Sequence, residues 1–279
     1  MVSASEAAEL GSIDFYSDSP WLIRGNMPWL QPLFASSDSV TLKAGTETLL
    51  GAERSVFLIE QGLIATFAVC ESLPERMTAL FGVGAVLGGF MAVLHPGKTK
   101  PLTARVLTDT VLRPLSADTF LAFLADDLTI KNRTISALLA QHECAMEGLL
   151  LNSLLPVPLR TARLIETLYR AAGQNLDDEL TELPYPVTVS ELAAMAHAAR
   201  AVVSRTLSSW IAVGACRKTG RHLWFTRSIF GQRSCLTNTP TRDSLRSESP
   251  VGLPSNPASQ LLYAPRPLPD PKRATLLLQ

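Results

Sequence analysis

The stretch Val187–Phe225 constrains the fold of this chain more than any other. Thr188-Val189-Ser190-Glu191 fits a helix capping box, in which the Thr188 hydroxyl accepts from the backbone N–H of Glu191 and the Glu191 carboxylate reaches back to the cap. A short helix is therefore expected to begin here. Its inner face is predicted to carry Leu192, Met195 and Ala196.

A second helix is expected after a tight turn at His197-Ala198-Ala199. Apolar residues recur there at i, i+4 and i+7, which is the spacing of one buried helical stripe. Gly214 is expected to end this helix, as glycine commonly does. The stripe consists of Val203, Leu207 and Trp210, and the residues predicted to face water are Arg200, Ser204, Arg205 and Ser208.

Two short extended runs follow, Ala215–Arg217 and His222–Phe225, and Lys218–Arg221 is a plausible hairpin turn with Gly220 in the permissive position. Helix, turn, helix and hairpin is the layout of a winged helix-turn-helix, whose second helix enters the major groove of DNA. A small helical subdomain with an exposed cationic face is the alternative on spacing alone.

The distribution of charge favours DNA binding. Val187–Arg233 contains seven basic residues and one acidic residue, a net charge of +6, whereas Met1–Pro186 carries −8 and Ser234–Gln279 carries +2. The neutral chain thus combines a basic segment with an acidic body. The basic segment would attract phosphates while the body repels them, which orients the approach to DNA.

The first half of the chain has the sequence pattern of a sandwich or small barrel, in which many short strands follow one another at roughly even spacing. A short helix over Pro28–Phe34 is expected to precede them. The glycine-rich piece Phe81–Phe90 departs from the G-x-G-x-x-G pattern at Leu87, so we expect a strand–turn–strand corner here and no dinucleotide site. The strands are predicted at Val40–Leu42, on both sides of Gln61-Gly62 within Ser55–Val69, at Met77–Val83, and around Thr108-Asp109 within Arg105–Leu115.

A long helix is predicted from Thr129 to about Leu154, after a shorter one that begins at Ser116. Along it, residues recur at alternating steps of three and four, a heptad-like seam. The seam predicts a partner helix, most simply the same helix in a dimer, and packing against the strand domain is the alternative. Its members are Ile135, Leu138, His142, Ala145 and Leu149. Pro156 and Pro158 then predict a hinge, and a further helix is expected over Leu159–Ala172.

Other features exclude whole classes of protein. The cysteines, at positions 70, 144, 216 and 235, form no C-x-x-C pair and are predicted to be reduced thiols with no metal or iron–sulfur site. The longest apolar run, Leu80–Leu94, is too short to span a bilayer, and the N-terminus lacks a signal-peptide pattern. We therefore expect a cytoplasmic protein without a membrane partner. No nucleophile elbow, P-loop or paired-carboxylate cleft is evident, which predicts a non-enzyme without a cofactor.

In this order the segments resemble the cyclic AMP receptor protein/FNR family of bacterial transcription regulators. The resemblance covers about Trp29–Phe225 and is strongest in T-V-S-E-L-A-A-M-A and R-A-V-V-S-R-T-L. It implies an α+β fold and a homodimer that binds double-stranded DNA at a roughly palindromic site, with RNA polymerase as a candidate partner. The implied segments are an N-terminal segment (1–27), a β-roll sensory domain resembling cyclic-nucleotide-binding domains (28–128), a dimerisation helix with a hinge (129–157), a winged helix-turn-helix domain (158–230), and a proline-rich tail expected to be disordered (231–279).

By resemblance, Arg200 and Arg205 match the arginines with which the family's recognition helix contacts DNA, and Ser204 lies between them. Ala201 stands where many members have a glutamate that accepts from cytosine, so base reading is expected to differ. Arg217, Lys218 and Arg221 of the hairpin complete the expected DNA-binding set.

The effector pocket departs from the cyclic-AMP-binding members. Their G-E-L segment reads Gly88-Gly89-Phe90 here, and their R-S pair aligns near Lys100-Pro101. Glycine offers no acceptor to a ribose and proline offers no donor, so cyclic AMP is not the expected ligand. The cofactor site is unknown, with haem at His95 or His142 left open. The alternative function is an effector-binding or protein-interaction module with weak, non-specific DNA affinity.

Overall fold

A computed structural model describes residues 19–25, 27–50, 54–70, 73–95 and 102–230. The predicted tail (231–279) and the Lys100-Pro101 pair lie outside these residues. The described chain begins with a roll of two β-sheets, with strands in the orders β1-β6-β5-β8-β3 and β2-β9-β4-β7. The strands are β1 (Leu22–Ile23), β2 (Val40–Leu42), β3 (Glu47–Leu50), β4 (Ser55–Gln61), β5 (Ile64–Cys70), β6 (Leu73–Phe81), β7 (Val86–Leu87), β8 (Leu102–Val106) and β9 (Thr110–Ser116).

The two sheets form because their apolar residues alternate toward a common interior. Ile59 of β4, Ile64 of β5 and Leu112 of β9 are fully or almost fully buried in one cluster between them. A 3₁₀ turn at Pro28–Leu30 and helix α1 (Gln31–Ala35) confirm the short helix expected over Pro28–Phe34. The predicted strands are present, whereas the short strands β1, β3 and β7 were not expected.

The glycine-rich corner is only partly as predicted. The chain turns at Val83-Gly84 between β6 and β7, which is the predicted strand–turn–strand corner, but helix α2 (Gly89–Leu94) then follows β7 and was not predicted. Gly88, with φ of 81°, redirects the backbone into this helix. Gly89 is buried, and a Cβ there would come within 2.9 Å of Val86 Cγ1. The glycines therefore permit a close approach of helix to sheet.

Two helices connect the roll to the C-terminal half. Helix α3 (Ala117–Asp126) begins where the Ser116 side chain accepts from Thr119 N, and α4 (Leu128–Leu154) follows a break at Asp127. Asp127 caps α4 by accepting from Thr129 N at 2.7 Å and Ile130 N at 3.2 Å. The sequence thus predicted both helices and the boundary between them.

The predicted seam on α4 faces the roll more than it faces solvent. Leu138 is buried against α2 and α3, and Ala145 packs against the cluster between the sheets. These residues therefore favour the alternative interpretation, in which the seam packs against the strand domain and not against a second copy of the helix. The neighbouring face of α4 is the exposed apolar one, and it carries Leu139, Met146, Leu150 and Leu154.

The C-terminal half of α4 is held to the roll by one indole ring. Trp21, in the turn before β1, is fully buried, and its backbone N–H donates to Cys144 O at 3.0 Å. Its ring lies so close to Gly148 that a Cβ on that glycine would fall 2.2 Å from Trp21 Cδ1. A glycine in mid-helix costs stability relative to alanine, and the ring's position explains why one is present.

The C-terminal half is a three-helix unit with a small sheet of order β10-β12-β11. Strand β10 was not predicted, because the loop that contains it has no apolar alternation. The apolar cores of the two halves are continuous through Leu151 and Leu155 at the end of α4. The elements are α5 (Val157–Ala171), β10 (Thr181–Glu182), α6 (Val189–Met195), α7 (Arg200–Ala212), β11 (Cys216–Thr219), β12 (His222–Phe225) and a 3₁₀ turn at Arg227–Phe230.

We expect the Gly148→Ala substitution to destabilise the fold. Overpacking a core typically costs about 1–3 kcal/mol, and the better helix propensity of alanine offsets up to about 1 kcal/mol of that. The free energy of unfolding measured by denaturant titration should therefore fall by about 1–2 kcal/mol.

Ser136→Ala on the exposed side of the same helix is the control and should change stability by less than about 0.5 kcal/mol. A Gly148→Ala protein as stable as the wild type would show that the indole does not hold α4 in this way.

Candidate nucleic-acid interface

The first helix of the candidate interface is fixed by the predicted capping box. Glu191 N donates to Thr188 Oγ1 at 3.1 Å, and Thr188 N donates to Glu191 Oε2 at 2.6 Å. These bonds satisfy two backbone donors that a helix start leaves without partners. On the inner face of α6, Leu192, Met195 and Ala196 are all fully buried, as expected.

Helix α7 buries one stripe and exposes the other, as its spacing predicts. Val203, Leu207 and Trp210 are buried, and the Trp210 ring meets Phe225 of β12 edge to face with centroids 6.2 Å apart. This contact ties the helix to the hairpin behind it. Gly214 follows the helix with a φ of 76°, a conformation that favours glycine.

The exposed face of α7 is cationic at its start. Arg200, Ser204, Arg205 and Ser208 all face water. Neither arginine forms an ion pair with any described residue. Ala199 at the N-cap supplies no side-chain hydrogen bond, and the first turn contains no acid. The helix N-terminus thus combines an uncapped backbone, the positive end of the helix dipole and two arginines, which favours an anionic partner.

The hairpin differs slightly from the prediction, because β11 continues through Thr219. Cys216↔Phe225 to Thr219↔His222 are paired, which leaves Gly220-Arg221 as a two-residue turn where a four-residue one was expected. Gly220 has a φ of 61°, in the left-handed region that such tight hairpin turns require.

The three cations of the hairpin are held differently. The Arg217 guanidinium lies 4.4 Å from the centroid of the Trp224 ring, which restrains it by a cation–π contact. Arg221 Nη2 lies 3.9 Å from Glu191 Oε2, a weak ion pair that offsets part of its charge. Lys218 is exposed and forms no ion pair within the described chain. The fold therefore brings these residues and those of α7 into one winged helix-turn-helix unit.

The turn between α6 and α7 is clamped to the rest of the molecule by contacts that the sequence did not predict. His197 takes a φ of 49°, and its Nε2 lies 2.6 Å from the backbone oxygen of Met77 in β6. Arg160 Nη2 donates to His197 O at 2.9 Å. Asn152 Nδ2 donates to Met195 O at 3.4 Å.

This clamp sets where α7 sits relative to the roll, because it joins β6, α4, α5 and the turn in one place. A histidine in a predicted tight turn was the only available signal, since histidine is among the residues that tolerate the left-handed region. Its partners are too far away in sequence to be found by spacing.

Burial and neighbouring charges shift the pKa values of two residues of the clamp, His197 and Arg160. Burial lowers the pKa of His197, and the nearby Arg76 and Arg160 guanidiniums lower it further, although the bond to Met77 O acts in the opposite direction. Burial and repulsion by Arg76 also lower the pKa of Arg160. The site therefore favours a neutral imidazole.

Two of the four cysteines have described side chains, Cys144 and Cys216, and neither forms a disulfide. Burial raises the pKa of the Cys216 thiol to about 12, despite the opposing charge of Lys218, so this thiol stays protonated. Within the described ranges no three His, Cys, Asp or Glu side chains come together as metal ligands would. No helix of the described residues has both the length and the apolar character that crossing a membrane requires.

We expect acid to weaken the clamp. With a lowered folded-state pKa, His197 is neutral in both folded and unfolded protein above about pH 6.5, its ordinary value. Below that pH the unfolded chain gains a proton more readily, so stability falls until the folded-state pKa is passed. Thermal unfolding followed from about pH 7.5 to about pH 5 should show this loss, and His197→Gln should reduce it.

His222→Gln is the control, since His222 is exposed and pairs with Glu182 Oε1 at 2.6 Å. If His197→Gln leaves the pH profile of the wild type intact, the clamp does not depend on a neutral imidazole.

The sequence matches no family model and no curated protein. Among solved structures, it is similar to the c-di-GMP responsive global regulator CLP, which links cell–cell signalling to virulence gene expression in Xanthomonas campestris, with 18% identity over 71% of this chain and 97% of that one and a TM-score of 0.59.

A transcriptional regulator of the CRP family from Thermus thermophilus is similar at 18% identity, covering 69% of this chain and 97% of that one, with a TM-score of 0.57. FixK2 from Bradyrhizobium japonicum is similar at 16% identity, covering 68% of this chain and 92% of that one, with a TM-score of 0.53. The predicted resemblance is confirmed at the level of architecture: the chain has the fold of CRP/FNR-family regulators.

Proposed function

We propose that this protein is a transcription regulator that binds a promoter site as a dimer, through its winged helix-turn-helix, without control by cyclic AMP. The observation that carries the proposal is the start of α7. Arg200 and Arg205 have no ion pairs in the described chain and lie in the first two turns of a helix without a side-chain N-cap, on the face opposite the buried apolar stripe. The similarity in fold to transcription regulators supports the same function.

DNA contacts follow from this arrangement. With α7 in the major groove, Arg200, Ser204 and Arg205 reach base edges and phosphates, as the N-terminal part of a recognition helix does. Ala201 is exposed beside them and offers no acceptor to cytosine, so base reading depends on the arginines. The cations of the hairpin, Arg217, Lys218 and Arg221, contact the phosphate backbone, which positions the protein without reading sequence.

A dimer is supported by the exposed apolar face of α4. Leu139, Met146 and Leu150 are 51%, 43% and 50% exposed and recur at steps of seven and four residues. This is the pattern of one half of a coiled-coil seam. Two copies packed on this face present two helix-turn-helix units, and a palindromic site is the DNA that matches such symmetry.

Independence from cyclic AMP is supported by the lining of a cavity between the roll and α4. Gly88, Phe90 and Leu138 line this cavity, and the described lining residues include no Lys, Arg, Asp or Glu. A cyclic phosphate would be desolvated in such a place without compensation from these residues. Residues 28–128 then act as a sensory domain and 129–157 as the dimerisation helix and hinge. RNA polymerase is a further partner on this account, and the cytoplasm is the expected location.

The second candidate function is an interaction module with only weak, non-specific DNA affinity. The exposed Ala201 favours it, because a recognition helix without an acceptor at this position has fewer ways to discriminate bases. It differs from the first proposal in its salt dependence and in its lack of sequence selectivity.

We expect Arg205→Ala to weaken binding to a promoter fragment by about 1.5–3 kcal/mol, the typical loss for a hydrogen bond to a charged group. Fluorescence anisotropy at several salt concentrations should also show the slope of log K against log salt reduced by about 1. Cyclic AMP should leave the wild-type isotherm unchanged.

The matched control is Arg133→Ala, which removes the same charge from α4, where Arg133 lies over the Trp29 ring. It should leave DNA affinity nearly unchanged. Equal effects of the two substitutions would mean that only net charge matters, which is the outcome for the interaction module.

We expect Leu150→Glu to disrupt the dimer, because a carboxylate buried in an apolar seam costs about 1–3 kcal/mol or more. Sedimentation equilibrium should show the dimer dissociation constant raised by about tenfold or more. Ala140→Glu adds the same charge to an exposed position of α4 away from this face and should leave the dimer intact. A monomeric wild type, or a Leu150→Glu dimer as tight as the wild type, would contradict the proposed interface.

A further inference from the structure

A cavity of about 210 Å³ lies between the roll and α4 and plays no part in DNA binding. Its walls come from β1, β5, β6 and β7, from α2, and from one face of α4. They are almost wholly apolar, with Ile23, Phe81, Phe90, Leu138 and Leu149 among the lining residues. Apolar cavities of about 150 Å³ stay dry and admit benzene, so this one has room for a molecule somewhat larger than a single aromatic ring.

The polar groups of the wall differ in whether they already have partners. Thr66 Oγ1 and Thr78 Oγ1 lie 2.7 Å apart, Thr66 Oγ1 lies 3.3 Å from Ala79 O, and Thr78 Oγ1 lies 3.2 Å from Thr66 O. Each hydroxyl has one proton, so one donates to the other hydroxyl and the second donates to its backbone oxygen. These hydroxyls are satisfied by the protein itself. The His142 ring stacks on Phe90 with centroids 4.6 Å apart and planes 8° apart, at the exposed edge of the cavity.

Gln141 is the exception among the lining residues. It is 8% exposed, and its Nε2 is buried with no hydrogen-bond partner in the described chain. A buried amide donor without a partner is unfavourable, and native structures rarely keep one without a reason. The terminal torsion of a glutamine side chain is soft, so rotation can turn this donor into the cavity.

We propose that this cavity binds a small, uncharged, largely apolar molecule that carries one acceptor oxygen, such as a carbonyl, and that Gln141 Nε2 donates to that oxygen. The apolar wall supplies the burial, and the single unused donor supplies the orientation, which is the usual division of roles in a small-molecule site. An anionic ligand would lose its hydration with no Lys or Arg among the described lining residues to replace it.

Binding alone does not require the proposed function, whereas a role for the molecule as an effector rests on it. The cavity adjoins α4, whose far end carries the clamp around the helix-turn-helix turn. A ligand between the roll and α4 is therefore placed to alter the contacts that set the position of α7.

The test uses the full chain and two probes, acetophenone and α-methylstyrene. The two have nearly the same shape, because α-methylstyrene carries a methylene group where acetophenone has its carbonyl oxygen. Calorimetry and ligand-observed NMR should give about three- to tenfold tighter binding of acetophenone, the range expected for one net hydrogen bond. Benzoate and cyclic AMP should bind more weakly than acetophenone.

Two variants locate the site. Gln141→Met removes the donor but keeps the length of the side chain, so α-methylstyrene should still bind and the preference for acetophenone should fall to about one. Ala145→Leu fills part of the cavity and should weaken both probes by about tenfold. Thermal unfolding of each variant checks that it folds.

The proposal is overturned if acetophenone does not bind, if its preference is the same in wild type and Gln141→Met, or if benzoate or cyclic AMP binds more tightly at this site. DNA binding is measured in separate titrations without any probe. A failure of ligand binding therefore leaves the proposed function standing, and a failure of DNA binding leaves the cavity site standing.

Discussion

The burial of one face of α4 is the constraint on which the rest of this structure depends. Trp21 holds the C-terminal half of the helix at Gly148, where a side chain could not fit beneath the ring. At its end, Leu151 and Leu155 enter the same apolar cluster as Phe67 of the roll and Leu192 of the helix-turn-helix. A single helix thus joins the two halves through a continuous core, and apolar burial is the main favourable contribution to folding.

This arrangement gives α4 two faces and a C-terminal end with different contacts. One packs on the roll and lines the cavity beside Gln141. A second is apolar and exposed, and we assign it to a twin helix. The clamp at its end, through Asn152, meets the turn before α7. A change at any of these contacts can alter the position of α7, because a close-packed interior transmits strain.

Much of the helix-turn-helix could be predicted from sequence, because its determinants are local. The capping box lies within four residues, the stripe of α7 repeats within three turns, and Gly214 marks the helix end. The strands of the roll were also predictable where Gly62 and Thr108-Asp109 separate apolar runs. The short strands β1 and β10 were not, because two-residue strands exist only by pairing with distant partners.

The seam on α4 and the clamp show why the remainder could not be predicted. Heptad spacing indicates an apolar face but does not say whether a second copy or the chain's own roll covers it. Leu138 proved to contact the roll, whereas Leu139, one position along, is exposed. His197 and Met77 are 120 residues apart, and only the fold brings them together. The unused donor of Gln141 likewise becomes visible only once its surroundings are known.

Specific reading of a DNA site by the basic face of α7 is the proposal on which the function rests. It is tested most directly by selecting genomic fragments with the purified full chain at physiological salt, without nucleotide, and footprinting those that are retained. We expect a protected site with two related half-sites about one helical turn apart. Uniform retention of unrelated fragments, lost evenly as salt rises, would contradict it, since phosphate attraction alone behaves in that way.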